Sequence, residues 1–390
     1  MTMELLYKEN PYLKCTECNI LSVEGNTVTT DRTVFYPEGG GQAGDRGFLG
    51  QYRVLDTKKA EDGNSILILE EGAQLSVGQT VEQKLDWSFR YNGMVTHTAQ
   101  HMLSGLLFTM LGIGTVAVHM GEGFLTIEVD RDHVDEKSLE SVVKRANEEI
   151  ANSHAIRCFE LSHEEAEALG LRRSIKVQGK VRIVEIEGVD RIACGGVHVA
   201  NTSEIRLVVF AGREQIRGHE RLAFRCGRSA VDQAVSDRQI MGKLGSLLSC
   251  GGSELEERVQ SLLSDATTLK AENSALKASV YRSDLEVRLG SERIGAFIAG
   301  ADYDITACAH AVASIDSLAL CVLQVRGDKT IWLIALKGSR DMDFNILRRD
   351  LLPLINAKGG GKPPLYQGVS QVTDKESLEG FLKEFCKAVK

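Results

Sequence analysis

The stretch DRTVFYPEGGGQAGDRG, residues 31–47, is the most glycine-dense segment of the N-terminal part of the chain. It lies within a series of short runs that have the alternation of β-strands and are separated by Gly, Asp and Asn turns. These runs are Asn19–Glu24, Thr27–Thr30, Arg53–Asp56 and Ile66–Leu69. The pattern predicts a β-rich domain over residues 1–90 that carries the glycine motif.

The periodicity changes to that of a helix at about residue 92. Apolar residues and two histidines then recur on one helical face up to Leu107. An alternating run follows at Gly123–Asp130, and a clearly amphipathic helix is predicted at Asp135–Asn152. With further strands at Val181–Ile186, Glu204–Val209 and Glu220–Arg225, residues 91–228 are predicted to form an α+β domain.

Residues 229–289 have almost no turn residues and are predicted to be helical. Leu255, Leu262, Leu269 and Leu276 recur every seven residues, and Asn273 occupies one of the complementary inward positions. An inward Asn fixes the register of many coiled coils, so the pattern favours a dimer contact. A hairpin, in which this helix packs on residues 229–248, is the alternative.

From residue 290 to residue 390, β-type runs alternate with helical ones, which predicts a separate α/β domain. The β-type runs are Leu318–Val325 and Thr330–Ala335, and the helical ones are Met342–Ile355 and Lys375–Val389. The segment KGGGKPPLYQG, residues 358–368, is expected to be a glycine-rich loop or turn.

The composition excludes several classes of protein. No apolar run approaches the roughly 20 residues that a membrane helix needs, and the first residues lack the apolar core of a secretory signal. The nine cysteines are an odd number and are scattered, as expected for a cytoplasmic protein without a disulfide framework. The net charge of −8 argues against non-specific coating of nucleic acid but leaves room for a local basic patch.

Two pairs of residues have the spacing of metal ligands. His97 and His101 are four residues apart on a predicted helix, so both imidazoles project from one face. Cys194 and His198 are also four apart, and the glycines between them favour a tight loop that can bring both onto one ion. Three His and one Cys form a complete tetrahedral set, for which zinc is the usual metal. We therefore predict one zinc ion per chain, and ligands from two distant segments favour a site organised around a substrate.

Three motifs in this order resemble one family. DRTVFYPEGGGQAGDRG, THTAQHML (residues 96–103) and CGGVHVANTSEI (residues 194–205) are similar to the editing domain of alanyl-tRNA synthetase and of the free-standing AlaX proteins. The resemblance covers residues 5–228, with Val197 and Ser203 standing where the family usually has Thr and Gly. Residues 290–390 resemble the DHHA1 domain, which follows the editing domain in the long AlaX form. The chain begins with the editing module, which suggests the free-standing form.

The resemblance implies an α+β fold in four parts. These are a β-barrel-like domain (1–90), a zinc-binding domain of the threonyl/alanyl-tRNA synthetase second additional type (91–228), a helical linker (229–289) and a DHHA1 domain (290–390). It also implies that the zinc ligands are His97, His101, Cys194 and His198. The expected partner is tRNA(Ala) mischarged with serine or glycine, bound by a homodimer joined through residues 229–390.

Further roles follow from the same resemblance. Thr33 is expected to select serine over alanine through its hydroxyl, and Gln42 to hold the substrate or the attacking water. Backbone groups of Gly39, Gly40 and Gly41 are candidates to contact the tRNA terminus, with a plain tight turn as the alternative. Contacts to RNA are also predicted for Lys358, Gly359, Gly360, Gly361 and Lys362.

Two other functions remain open on the sequence alone. One is hydrolysis of a different aminoacyl-tRNA on the same scaffold. The other is a non-catalytic RNA-binding protein with a structural zinc ion. No carboxylate close to the motifs is a compelling general base, although Glu38 and Asp190 are candidates.

Overall fold

The computed structural model describes residues 3–61, 63–175, 177 and 179–390. These residues form two compact units, Met1–Lys243 and Leu244–Lys390. The barrel and zinc-site regions, which the sequence suggested as separate domains, thus lie in the same unit. None of the helices among the described residues combines the length and apolar character needed to cross a membrane.

The N-terminal elements build a closed six-stranded barrel, in agreement with the barrel-like domain that the resemblance implied. The elements up to the barrel's last strand are β1 (Glu4–Leu5), α1 (Leu6–Glu9), β2 (Cys15–Glu24), β3 (Thr27–Thr30), β4 (Arg32–Thr33), β5 (Gly47–Leu49), β6 (Tyr52–Lys59), β7 (Ser65–Leu69) and β8 (Thr80–Leu85). The barrel order is β2-β3-β7-β6-β5-β8, while β1 pairs in parallel with β4 outside it. Alternate residues such as Ile20, Val28 and Leu67 point inward and are almost fully buried.

The second part of this unit surrounds one long helix. Its elements are α2 (Trp87–Leu111), β9 (Thr115–Gly121), β10 (Phe124–Val129), α3 (Glu136–Asn152), β11 (Ile156–Leu161), α4 (His163–Ala168), β12 (Val181–Ile186), β13 (Asp190–Ala193), β14 (Val208–Ile216) and β15 (His219–Cys226). They form one sheet in the order β14-β15-β10-β9 and another in the order β11-β12-β13. Strand β14 begins later than predicted, because Thr202–Ile205 forms a short 3-10 helix.

Helix α2 is defined at both ends by its sequence. The carboxylate of Asp86 accepts a hydrogen bond from the Phe89 amide, and Gly112 ends the helix in the left-handed conformation. Every residue from Met94 to Leu107 is buried, including both histidines. The helix is therefore a rigid internal element that can hold side chains in fixed positions.

The C-terminal unit contains a five-stranded sheet and helices. The remaining elements of the chain are α5 (Gly227–Leu248), α6 (Leu255–Leu289), β16 (Ile294–Ala299), α7 (Ile305–Val312), β17 (Leu318–Arg326), β18 (Lys329–Lys337), α8 (Phe344–Asp350), β19 (Lys358–Lys362), β20 (Leu365–Ser370) and α9 (Lys375–Ala388). The sheet order is β16-β17-β18-β20-β19, and only β16 and β17 pair in parallel. The α/β prediction therefore holds for the alternation of elements, but the sheet is mainly antiparallel.

Candidate metal centre

Two of the predicted ligands lie side by side on α2. His97 and His101 are one turn apart and have exposed fractions of 2% and 4%. Their ring centroids are 4.9 Å apart. The spacing of four residues therefore places both imidazoles together in the interior, as the sequence predicted.

The other two ligands lie on the loop that follows β13. Arg182 of β12 holds this loop, since its guanidinium donates hydrogen bonds to the carbonyl oxygens of Cys194 (2.8 Å) and Gly196 (2.9 Å). Gly196 packs against the ring of His97 so closely that a Cβ there would lie 2.2 Å from Cε1. A side chain at position 196 would therefore displace a ligand.

The four ligand atoms converge on one point. All lie within 4.8 Å of one another. The Cys194 Sγ is 3.5 Å from Nε2 of His97 and 3.5 Å from Nε2 of His198. Zinc bonds of about 2.0–2.1 Å to nitrogen and 2.3 Å to sulfur, at a tetrahedral angle, would separate these atoms by about 3.6 Å. The donor set and its spacing therefore fit zinc.

Burial keeps these side chains uncharged when no cation is bound. It lowers the pKa of His97 to about 4, and it lowers the pKa of His101 and of His198 well below the usual value. Burial also raises the pKa of the Cys194 thiol to about 11. The imidazoles thus have free lone pairs at neutral pH, and a cation would favour the thiolate that burial disfavours.

Two neighbouring polar groups orient the histidines. Gln42 is buried, and its Oε1 lies 2.9 Å from Nδ1 of His97. The hydroxyl of Thr98 lies 3.1 Å from Nδ1 of His198. Such partners fix the ring orientation of metal-binding histidines. The structure thus places Gln42 on His97, a predicted metal ligand. Thr98 was missed because it is not a ligand type, although its position between the two histidines of THTAQH was a usable signal.

The glycine motif forms a tight turn next to this centre. The backbone groups of Gly39 and Gln42 exchange two hydrogen bonds of 3.0 Å. Gly40 and Gly41 have φ angles of 61° and 87°, which favour glycine. A Cβ on Gly40 would lie 3.8 Å from Cε1 of His97. The turn therefore brings Gln42 to His97, and contact of its backbone groups with the tRNA terminus stays a prediction.

Three other residues that the sequence singled out either form contacts within the protein or lie at its surface. Thr33 has an exposed fraction of 0%, and its hydroxyl accepts a hydrogen bond of 3.0 Å from the Phe35 amide. The side chain of Asp190, a candidate base, is nearly buried and accepts two hydrogen bonds from Arg172. Glu38 is exposed.

The second glycine run is a strand and not the loop expected from its composition. Residues 358–362 form β19, which pairs with β20 at one edge of the C-terminal sheet. A Cβ on Gly359 would lie 2.6 Å from Cζ2 of the buried Trp332, whereas one on Gly360 would meet nothing within 4 Å. Glycine is therefore needed for close packing here, and Lys358 and Lys362 stand exposed at the two ends of the strand.

Comparison with known families supports the resemblance of the sequence motifs. Residues 11–89 match the family described as tRNA synthetases class II (A). Residues 181–221 match the threonyl and alanyl tRNA synthetase second additional domain. The first match covers the barrel, and the second covers the strands and loop that carry Cys194 and His198.

Individual relatives of known name point to the same group of proteins as the family matches. The alanyl-tRNA editing protein AlaX-L of Pyrococcus horikoshii is 27% identical, and the alignment covers 98% of each chain. The alanine–tRNA ligases of Ignicoccus hospitalis (31% identical) and Methanococcus aeolicus (28%) match 92% and 94% of this chain. The chain spans only 40% and 41% of the length of those ligases.

One solved structure, the C-Ala domain of Aquifex aeolicus alanyl-tRNA synthetase, aligns with 24% of the chain at 17% identity and a TM-score of 0.21, too low to support an argument. The full-length relative, the two family matches and the ordered motifs agree with one another. The chain is therefore similar along its whole length to the AlaX-type alanyl-tRNA editing proteins.

Proposed function

We propose that this protein is a zinc-dependent hydrolase that removes serine or glycine from mischarged tRNA(Ala). The observation that carries the proposal is the convergence of three buried imidazoles and one thiol within 4.8 Å. The match to the second additional domain and the similarity along the whole of AlaX-L support the choice of an aminoacyl-tRNA as substrate.

The need for such an enzyme follows from the size of the amino acids. An alanine pocket cannot exclude the smaller glycine by size, and it excludes a near-isostere with an added hydroxyl only weakly. Hydrolysis at a second site is then the remedy. That site must accept serine and refuse alanine.

The residues of the centre have distinct parts in this proposal. His97, His101, Cys194 and His198 hold the ion, and the chemistry that bound zinc supplies is Lewis-acid polarisation of the ester carbonyl or orientation of the ribose. Gln42 holds the imidazole of His97 in place from the side of the glycine turn. The three histidines are buried, so their imidazoles are held apart from bulk water.

Thr33 is proposed to contribute to the choice of serine over alanine through its hydroxyl, by a hydrogen bond to the side-chain oxygen of serine, which alanine lacks. Its hydroxyl binds the Phe35 amide at the start of the segment that leads into the glycine turn. Thr33→Val should therefore narrow the ratio of the rates for Ser-tRNA(Ala) and Ala-tRNA(Ala) by roughly tenfold, since a buried hydrogen bond is worth on the order of 1 kcal/mol. An unchanged ratio in a stably folded variant would remove Thr33 from the specificity machinery.

The deciding experiment is a deacylation assay with Ser-, Gly- and Ala-tRNA(Ala). We expect release of serine or glycine, little release of alanine, loss of activity with a chelator and recovery with added zinc. Cys194→Ala and His101→Ala should both be inactive. Activity only on a different aminoacyl-tRNA would favour the related-substrate alternative. RNA binding without hydrolysis of any ester would favour a structural zinc protein.

The C-terminal unit is proposed to serve tRNA binding and dimerisation. The exposed Lys358 and Lys362 flank an edge strand whose residues are all exposed, which suits contact with a phosphate backbone. Changing both lysines to Glu should weaken binding of tRNA(Ala). The slope of log affinity against log salt concentration should shrink by about one unit for each lost contact. Unchanged affinity and salt dependence would show that another surface binds the tRNA.

A further inference from the structure

A basic cavity of about 390 Å³ opens beside the zinc-ligand loop. Cys194 and Gly195 line it, so the metal centre forms part of its wall. Among the described residues, four cationic side chains line it: Lys8, Arg173, Lys180 and Arg182. Glu160 is the one carboxylate in that described lining. The chain has a net charge of −8, so this positive charge is a local property of the cavity.

These cationic side chains have few anionic partners among the described residues. Lys8 and Arg173 form no ion pair with any residue that the structure describes. Lys180 lies 3.9 Å from Glu160, and both side chains are largely exposed, so this pair contributes little. Burial and the neighbouring Arg182 guanidinium lower the pKa of Lys8. An anion within the cavity would relieve this repulsion.

The wall that carries Arg173 is held by a buried ion pair. Arg172 donates hydrogen bonds of 2.8 Å and 3.1 Å to the two carboxylate oxygens of Asp190. Both side chains are nearly buried, with exposed fractions of 6% and 4%. Because Asp190 begins the strand that leads to Cys194, the pair ties Arg173 to the same framework as the metal ligands. The cavity is thus anchored on the metal-centre side.

We propose that this cavity holds the phosphodiester backbone of the single-stranded 3′ end of an RNA. The inference rests on the proposed function, because an ester on the terminal ribose can reach the metal centre only if the last phosphates lie close to it. Lys and Arg are the side chains that hold such phosphates in position. The volume lies within the range of sites for small ligands, which suits a terminal nucleotide and not a duplex.

The test is a double variant, Arg173→Gln with Lys180→Gln, in the full chain. The probe is a labelled short RNA with the 3′-terminal sequence of tRNA(Ala), followed by fluorescence anisotropy at several salt concentrations. We expect the Kd to rise about tenfold and the salt slope to shrink by about 0.7 for each lost contact. Lys137→Gln with Lys144→Gln, two exposed lysines on α3, is the matched control and should change neither quantity.

A second substrate separates binding from chemistry. Serine esterified to the 3′ hydroxyl of adenosine carries no phosphate, so the double variant should lose far less activity on this ester than on Ser-tRNA(Ala), with the same zinc content. An unchanged Kd and salt slope for the RNA would overturn the proposal. So would loss of activity on the adenosine ester, because the cavity would then shape the reaction centre. If the wild type binds the RNA through the cavity but cleaves neither the adenosine ester nor Ser-tRNA(Ala), the proposed hydrolase function fails and the binding site stands.

Discussion

At the scale of single residues, the two glycines of CGGVH have different surroundings. A Cβ on Gly196 would lie 2.2 Å from the His97 ring, whereas a Cβ on Gly195 would meet nothing within 4 Å. The sequence suggested that both serve a tight loop. In the structure, Gly196 packs against His97, a predicted metal ligand, and this distinction depends on a contact across 99 residues of chain.

This difference gives a matched pair of variants. Gly196→Ala should push His97 from its place and strongly reduce the zinc content of the purified protein. Gly195→Ala should retain a full equivalent of zinc, because its new methyl group has space. Metal analysis of both proteins checks the expectation. Equal zinc contents would show that the loop can move away from His97.

A second prediction concerns the partner of His97. Gln42→Leu removes the acceptor that lies 2.9 Å from Nδ1, so zinc affinity should fall about 10- to 100-fold. Gln42→Glu keeps an acceptor of similar size and should retain most of the affinity. Competition with a chromogenic chelator measures both. If Gln42→Leu binds zinc as tightly as the wild type, the contact with His97 does not contribute to zinc affinity.

At the scale of elements, the barrel and the long helix are joined by a buried ion pair. Arg90 on α2 donates from Nε to Asp45 at 2.8 Å and from Nη1 to the Pro11 carbonyl at 2.9 Å. Both charged side chains are almost fully buried. Asp45 also accepts a hydrogen bond from the Tyr36 amide. The pair therefore fixes the glycine motif against the helix that carries His97.

Removing one partner should be costly. Arg90→Met leaves the Asp45 carboxylate buried and unpaired, which costs about 3–5 kcal/mol of stability. The chain has two tryptophans, Trp87 and Trp332, one in each unit. In a Trp332→Phe background, the fluorescence of Trp87 during thermal unfolding therefore reports this unit. Arg191→Met, which removes a partly exposed partner of Glu185, is the control and should change the unfolding temperature little. Similar effects of the two changes would contradict a special role for the buried pair.

The elements were largely predictable, because local periodicity decides them. Helix α3 was predicted to begin within one residue of its observed start, and the strand Val181–Ile186 was predicted correctly. The glycine run in β19 was not, because glycine usually signals a turn. The tertiary contact with Trp332 explains the glycine at position 359, and the close approach of the Leu365 carbonyl explains the one at position 361, whereas nothing in the structure explains Gly360. The partner of Arg90 was equally hidden, since it lies 45 residues away.

At the scale of the whole molecule, α6 carries an apolar stripe that is open to solvent. The heptad residues Leu262, Leu269 and Leu276 have exposed fractions of 40%, 63% and 68%, whereas Leu255 is buried. Asn273 is also exposed. The predicted heptad seam therefore exists as a continuous surface of one 35-residue helix. Sequence periodicity could identify this stripe, but its partner depends on a second molecule.

We expect that stripe to join two copies of the chain. Leu269→Glu with Leu276→Glu would place charges in the seam and should convert a dimer to a monomer without changing the zinc content. Ser264→Glu with Ala271→Glu adds the same charge away from the seam and should leave the dimer intact. Sedimentation equilibrium distinguishes these outcomes. A wild-type protein that is already monomeric at micromolar concentration would refute the dimer.

The lysines at the ends of β19 have a consequence for the behaviour of concentrated protein. An edge strand offers its free backbone groups to any other polypeptide, and charged residues at its ends hinder unwanted strand addition. Lys358 and Lys362 can thus keep the molecule from polymerising, a use independent of RNA. Glutamate at both positions would preserve this protection, whereas alanine would remove it. A glutamate variant that stays in solution while an alanine variant forms fibrils would show that charge at these two positions prevents strand addition at the sheet edge.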